Sequence, residues 1–217
     1  MQKTIRVMGK GKISVKPDMI RLDITANEVC KEYDEVIEES TLCIKKIKET
    51  VERAGLNGRE LKTVKFDVDS KYESYCDKNG NYKSRLVGFQ YTQKFYIQFP
   101  NDNLQLGKIL YELSHCDINV EFSIKHTVED ITAVKNELLT NAVQDSKVKA
   151  EILSKSSGVL LGDIVNIDYS WGEIEIYSEP IKNYYLYEST INEPYKIDIE
   201  ADDIDVQDTV TIVWEIK

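Results

Sequence analysis

The residues able to do chemistry in this chain are few and scattered. Only two histidines occur, His115 and His126. A zinc site gathers Cys, His or carboxylate ligands at short, recognisable spacings. His115-Cys116, Cys76 and His126 match no such spacing. A serine hydrolase needs a nucleophile, a base and an acid that orients the base. No Gly-x-Ser-x-Gly occurs, and His126 falls in step with Ile118 to Ile124, which makes it an inward, structural residue at a strand end. The run Asp198, Glu200, Asp202, Asp203 and Asp205 offers the oxygens that calcium takes. It lacks the sixth-position glycine and the twelfth-position glutamate of an EF-hand, so a solvated acidic loop is preferred over surface-type calcium binding. Gly9-x-Gly11 is half of a phosphate-binding glycine motif. Without a third glycine or a following helix it reads as a bend or bulge between short strands at 4–8 and 11–15. No catalytic, cofactor-binding or metal residue is assigned, no cofactor is implied, and the reading leans away from an enzyme.

Aromatic side chains offer a different kind of site. Tyr72, Tyr75 and Tyr82 cluster near the tip of an expected hairpin, where they could stack a sugar or a base. Cross-strand packing accounts for them more simply. Tyr184, Tyr185 and Tyr187 sit in an irregular stretch and form the candidate interaction surface, because tyrosine is enriched at interface centres.

Charge narrows the partners. The chain has 217 residues, 41% hydrophobic and 30% charged, with a net charge of −10. That length supports one large domain or two small ones. Residues 171–208 hold eleven acidic residues against Lys182 and Lys196, so they carry −9 of the total. A near-neutral body with an acidic annex argues against a nucleic-acid surface and against anionic lipid. No run approaches the ~18 apolar residues of a membrane span. No basic stretch followed by an apolar one opens the sequence. The expected location is cytoplasmic as written, or the envelope or periplasm if a leader precedes it. Cys30, Cys43, Cys76 and Cys116 are widely spaced and read as free, largely buried thiols.

Periodicity supplies the elements that position these residues. Ile20, Leu22, Ile24 and Ala26 alternate through a strand at 18–29. Val36, Ser40, Cys43, Ile44, Ile47, Val51 and Ala54 stripe a helix at 33–54, closed by Gly55. Val64, Phe66 and Val68 climb one arm of a hairpin that turns at Asn79-Gly80, expected as type I′. Phe89, Tyr91, Phe95, Ile97 and Phe99 descend the other. Asp102 caps a helix at about 103–115, and a strand follows at 117–126. The longest helix is expected from about 129 to 157, with Thr127 as N-cap, Asp130 three residues on, and Gly158 ending it. Its stripe is Leu138, Leu139, Ala142, Val143, Ser146, Ala150 and Leu153, and the small residues let it lie close to a sheet or another helix. Strands at 163–170 and 206–217 complete the chain. The intervening 171–205 reads as an acidic, irregular insertion, an assembly annex outside the core.

Several of these pieces fall into one order: Gly9-x-Gly11, Pro17-Asp18 before an alternating strand, Ala54-Gly55-Leu56, and Gly88-Phe89. Ala142-x-x-Asp145-Ser146-x-x-x-Ala150, Gly158, Leu161-Gly162 and the alternation from Val206 to Trp214 follow. Together they resemble the SIMPL domain family of bacteria over nearly the whole chain. The resemblance implies an α+β fold, an antiparallel sheet with helices packed on it. It also implies envelope-associated relatives, links to stress responses and homo-oligomers. It brings no catalytic residues.

The combined expectation is one SIMPL-like domain, 1–217, in the order β-β-α-β-β-α-β-α-β-β and dominated by its third helix. The expected function is a non-enzymatic, self-associating scaffold or stress-related binding module. The alternatives are an enzyme with a cleft near the hairpin tip and 171–205, and a calcium-tuned partner-binding module. The expected partner is a second copy of the chain, with neither nucleic acid nor a membrane span.

Overall fold

The computed structural model describes residues 3–78, 80–169, 174–182 and 199–217. The fold is α+β, in the element order that the periodicity implies with one short strand added. The chain forms two compact units. One comprises Met1–Asp18, Thr127–Ser178 and Ala201–Lys217; the other comprises Met19–His126 and Glu179–Glu200. Hydrophobic alternation places side chains on faces but does not say which strand pairs with which, so the division into two sheets was not visible in it.

In the first unit, β1 (Thr4–Val15) and β8 (Ile204–Ile216) pair antiparallel without interruption from Thr4↔Glu215 to Val15↔Ile204. Strand β6 (Leu161–Asp168) lines the other side of β8. The sequence suggested two short strands broken at Gly9 and Gly11; they are one strand. The glycines are there because α3 (Ile131–Ser156) crosses directly over them. A β-carbon on Gly9 would overlap the Ala142 carbonyl oxygen, and one on Gly11 the Leu138 carbonyl oxygen. Leu138, Ala142, Ser146 and Ala150 are fully buried on the facing side of α3. Glycine opposite alanine and serine brings helix backbone against strand backbone. Val7, Val210, Ile212 and Trp214 complete this core with Ala142 and Ala150.

The cap of α3 differs from expectation. Asp130, not Thr127, is the N-cap, and its Oδ1 accepts the Ala133 N–H at 2.8 Å. Thr127 is buried, and its hydroxyl donates instead to the Ile176 carbonyl at 2.6 Å. Leu153, expected on the buried stripe, is exposed, while Ser154 is buried one position on. Ile176 itself is buried with Val128, Leu138, Ile204 and Val206, with Ile174 packed against them. These described residues of the acidic segment are therefore core, not annex.

In the second unit, a five-stranded sheet has the order β3-β4-β2-β5-β7. The ranges are β2 Met19–Cys30, β3 Lys62–Cys76, β4 Tyr82–Pro100, β5 Val120–Thr127 and β7 Ile181–Lys182. Helices α1 (Tyr33–Arg53) and α2 (Asn103–Ser114) bury Cys43, Ile47, Val51, Leu106, Ile109 and Leu113 with Ile20, Leu22, Ile24, Phe95, Ile97 and Phe99. Asp102 caps α2 by accepting the Leu104 and Gln105 N–H groups at 2.8 and 3.3 Å. The type I′ turn expected at Asn79-Gly80 involves Asn79, which lies outside the described residues. The Gly80 N–H donates to the Asp77 carbonyl and the Asp77 N–H to the Asn81 carbonyl, with Gly80 left-handed at φ 81°.

Candidate functional site

An open sheet edge presents unpaired N–H and C=O groups to any passing strand, and folded proteins usually block it. In the first unit two side chains of α3 reach the outer edge of β1. Asp145 Oδ2 accepts the Lys10 N–H at 2.7 Å and the Lys149 ammonium at 2.6 Å. Lys149 Nζ also donates to the Met8 carbonyl at 3.3 Å. A carboxylate and an ammonium, one helical turn apart, thus satisfy one donor and one acceptor that a neighbouring strand would use. The Lys149 ammonium, then the Lys10 N–H, hold the Asp145 carboxyl below its usual range. The other edge, β6, is irregular twice along its pairing with β8, between Leu161 and Ile164 and between Ile164 and Asn166. Such bulges twist a strand out of register with an incoming partner.

The second unit is different. At one edge β7 has two residues. At the other, β3 runs for fifteen residues, paired on one side by β4. Val64 and Phe66, which the sequence places along one arm of the hairpin, are exposed on it. Lys65, Asp67, Asp69, Lys71 and Glu73 alternate along one face of β3. Lys65 is bonded to Asp67, Lys71 donates to Gln90 at 3.1 Å, and Glu73 accepts from Arg85 at 2.8 Å.

Beyond Gly88 the hairpin outruns its sheet. A β-carbon on Gly88 would overlap the carbonyl of Cys30, the last residue of β2. From there outward β3 and β4 form a two-stranded arm. Cys76 opposes Tyr82 and Tyr72 opposes Leu86, so these four share one face. Tyr75 lies on the other, with Arg85 stacked 5.8 Å from its ring centre. The three tyrosines therefore do not form one stacking cluster, since alternation sends Tyr75 away from its neighbours. Tyr72 is 60% exposed and Tyr82 86%. An exposed run of large apolar side chains on an unpaired edge is a mark of an interaction surface.

The other sequence candidates are dispersed. His115 ends α2, where its Nδ1 lies 2.8 Å from the Tyr111 carbonyl and its ring rests on Tyr111 at 4.2 Å. His126 is buried on β5, and burial lowers its pKa from the ordinary 6.5. All four cysteines are free; Cys30 and Cys43 are buried, Cys116 half-buried and Cys76 exposed. Burial raises the thiol pKa of Cys30, Cys43 and Cys116, which suppresses thiolate chemistry. Among the described residues no three His, Cys, Asp or Glu side chains are grouped to hold a metal ion. Tyr184, Tyr185 and Tyr187, with Asp198, lie outside the described residues. Two features went unread in the sequence: the role of Asp145 and Lys149, and the order of charges along β3. The second was present as a pattern, because positions equally distant from Asp69 carry opposite signs, Asp67 against Lys71 and Lys65 against Glu73.

Residues 5–214 match the family model described as SIMPL, a protein of unknown function (DUF541), and the chain belongs to that family. It is similar to the 26 kDa periplasmic immunogenic protein of Brucella abortus (strain S19), with 26% identity over 163 residues. The match covers 75% of this chain and 65% of that protein, so the chain spans just under two thirds of its relative's length. The protein of the same description from Brucella melitensis biotype 1 matches at the same identity and coverage. Among the described residues no helix is long and apolar enough to cross a membrane.

Proposed function

We propose that this SIMPL protein is a non-enzymatic, self-associating scaffold or stress-related binding module of the bacterial envelope. The observation that carries the reading is the long open edge of β3, with exposed Val64, Phe66, Tyr72 and Leu86 beside it. An edge of that length and apolar content favours association over a solitary state. The name of the Brucella relatives, which places them in the periplasm, supports an envelope location. The widely separated histidines and the raised thiols favour binding over catalysis. Light scattering of the purified chain from nanomolar to high micromolar concentration tests the reading. The expected result is a mass that rises to a defined multiple of the monomer; a monomer throughout overturns it.

A further inference from the structure

The geometry points to one mode of assembly: two copies join edge to edge along β3 about a two-fold axis at Asp69. This rests on the self-association reading above and specifies its surface. Among the four edges of the two described sheets, β1 is blocked at its middle by Asp145 and Lys149, β6 is bulged against its one partner, and β7 is two residues long. That leaves β3 as the edge open to a partner strand. Scattered lysines ordinarily blunt such an edge. Here Lys65, Asp67, Lys71 and Glu73 each meet an opposite charge when the strand is laid antiparallel against itself.

Asp69 is the midpoint of Lys62–Cys76, so an axis there pairs the whole strand with its copy. On the charged face, Lys65 then faces Glu73 of the second copy, and Lys71 faces Asp67; by symmetry each contact occurs twice. On the other face Phe66 meets Tyr72, and Val64 meets Ser74. A residue shift in either direction loses this. An axis at Val68 sets Lys65 against Lys71 and Asp67 against Asp69; an axis at Ser70 sets Asp67 against Glu73, which offsets its one attractive pair, Asp69 with Lys71. Opposite charges directly across an antiparallel pair attract, and like charges there repel. The pairing of β3 with β4 is irregular twice: the extra residue between Thr63 and Lys65 is Val64, near the strand's end, and the one opposite Lys71 and Tyr72 is Val87 on β4, so β3 itself has no extra residue from Lys65 to Glu73. The one unfavourable meeting is Asp69 with its own copy on the axis. An axis normal to the sheet keeps charged face beside charged face, and the two five-stranded sheets become one continuous sheet of both copies.

The full chain carrying Cys76→Ser, which removes the exposed thiol, provides the test. In that background Asp69→Cys should form a disulfide-linked dimer under diamide, which accepts the two hydrogens lost by the thiols. Directly opposed Cα atoms lie about 4.5–5.5 Å apart, within the about 4.4–6.8 Å a disulfide spans. Lys71→Cys should not cross-link, since the two copies of that position lie four residues apart along the strands, about 13 Å. Without cross-linker, Lys71→Glu should weaken association about tenfold or more, because attraction becomes repulsion twice over. Asp67→Lys combined with Lys71→Glu should restore it, and Asp69→Asn should tighten it. If the chain associates but Asp69→Cys stays unlinked and Lys71→Glu has no effect, this surface is wrong while the self-association reading stands. If the wild type is monomeric, both fall. If it is monomeric and Lys71→Glu releases a co-purifying protein, the edge binds a foreign strand, which also overturns both.

Discussion

The contact of α3 with β1 and the arm formed by β3 and β4 are opposite solutions to the same problem, a strand with a free side. On β1 the solution is closure. Gly9 and Gly11 remove the strand's own side chains where the helix crosses, and Asp145 and Lys149 bond one donor and one acceptor on the strand's backbone. The hairpin of β3 and β4 continues past the end of β2, and the apolar side chains along β3 meet solvent. The first region carries stability and tolerates little change. The second carries almost none of the unit's packing and is free to be specified by a partner. Large stability effects should therefore cluster at α3 and β1, and association effects at β3.

The sharpest break of that contrast is deletion of 206–217. It removes most of β8, the strand that both β1 and β6 pair with, so the first unit should lose its near-ultraviolet dichroism and bind hydrophobic dye. A truncated chain that still melts sharply as the intact one does would contradict it. Calorimetry of the intact chain also tests our proposal that 1–217 behaves as one cooperative domain, for which a single transition is expected.

Next in size are Gly9→Val and Ala142→Leu, each expected to destabilise by roughly 3 kcal/mol, since the obstructing atoms are backbone. Tyr72→Ser and Leu86→Ser in the arm should change stability by less than about 0.5 kcal/mol. Chemical denaturation of the four variants compares the regions directly. If the two pairs cost the same, the contrast is false.

Asp145→Ala should be smaller, about 1 kcal/mol, because one backbone donor and the ammonium lose a half-exposed acceptor. The folded-state pKa of Asp145 is depressed, so this contribution is fully present above the unfolded value of 3.8. It is lost as pH falls below that through the folded value. Melting temperatures of wild type and variant should converge in that acid range and stay apart at neutral pH.

The smallest effect concerns His126. Its pKa is depressed by burial, so the unfolded chain takes up a proton first as pH falls. Stability should be level above pH 6.5 and decline below it towards the folded value. His126→Gln should flatten that slope in melts between neutral and mildly acid pH; an unchanged slope would assign it to other groups.

The limits of the sequence reading follow the same division. Local periodicity located β2, α1 and α2 to within a residue or so, because each buries a stripe on a single surface. The small residues of β1 and of α3 were each noticed, but their facing one another is a long-range fact with no local trace. Asp130 and Thr127 both fit a cap, and the choice turned on the Ile176 carbonyl, a partner far along the chain. Val64 and Phe66 alternate as a buried strand would; nothing local shows that the sheet ends at β3. The charge order from Lys65 to Glu73 was legible throughout and acquires meaning only once β3 is known to be an edge.

The pairing of Thr4 with Glu215 also bears on how the protein is made. A ribosome delivers β1 long before β8, and residues 19–126, nearly all of the second unit, emerge between them. A glycine-bearing apolar strand is thus left waiting, at the stage when nascent chains are most prone to pair wrongly. From Lys3 to Lys16 it carries Lys3, Arg6, Lys10, Lys12 and Lys16 and no acidic residue. Two such waiting strands on neighbouring ribosomes repel each other, so the positive charge that decorates the finished sheet also serves as a safeguard during synthesis.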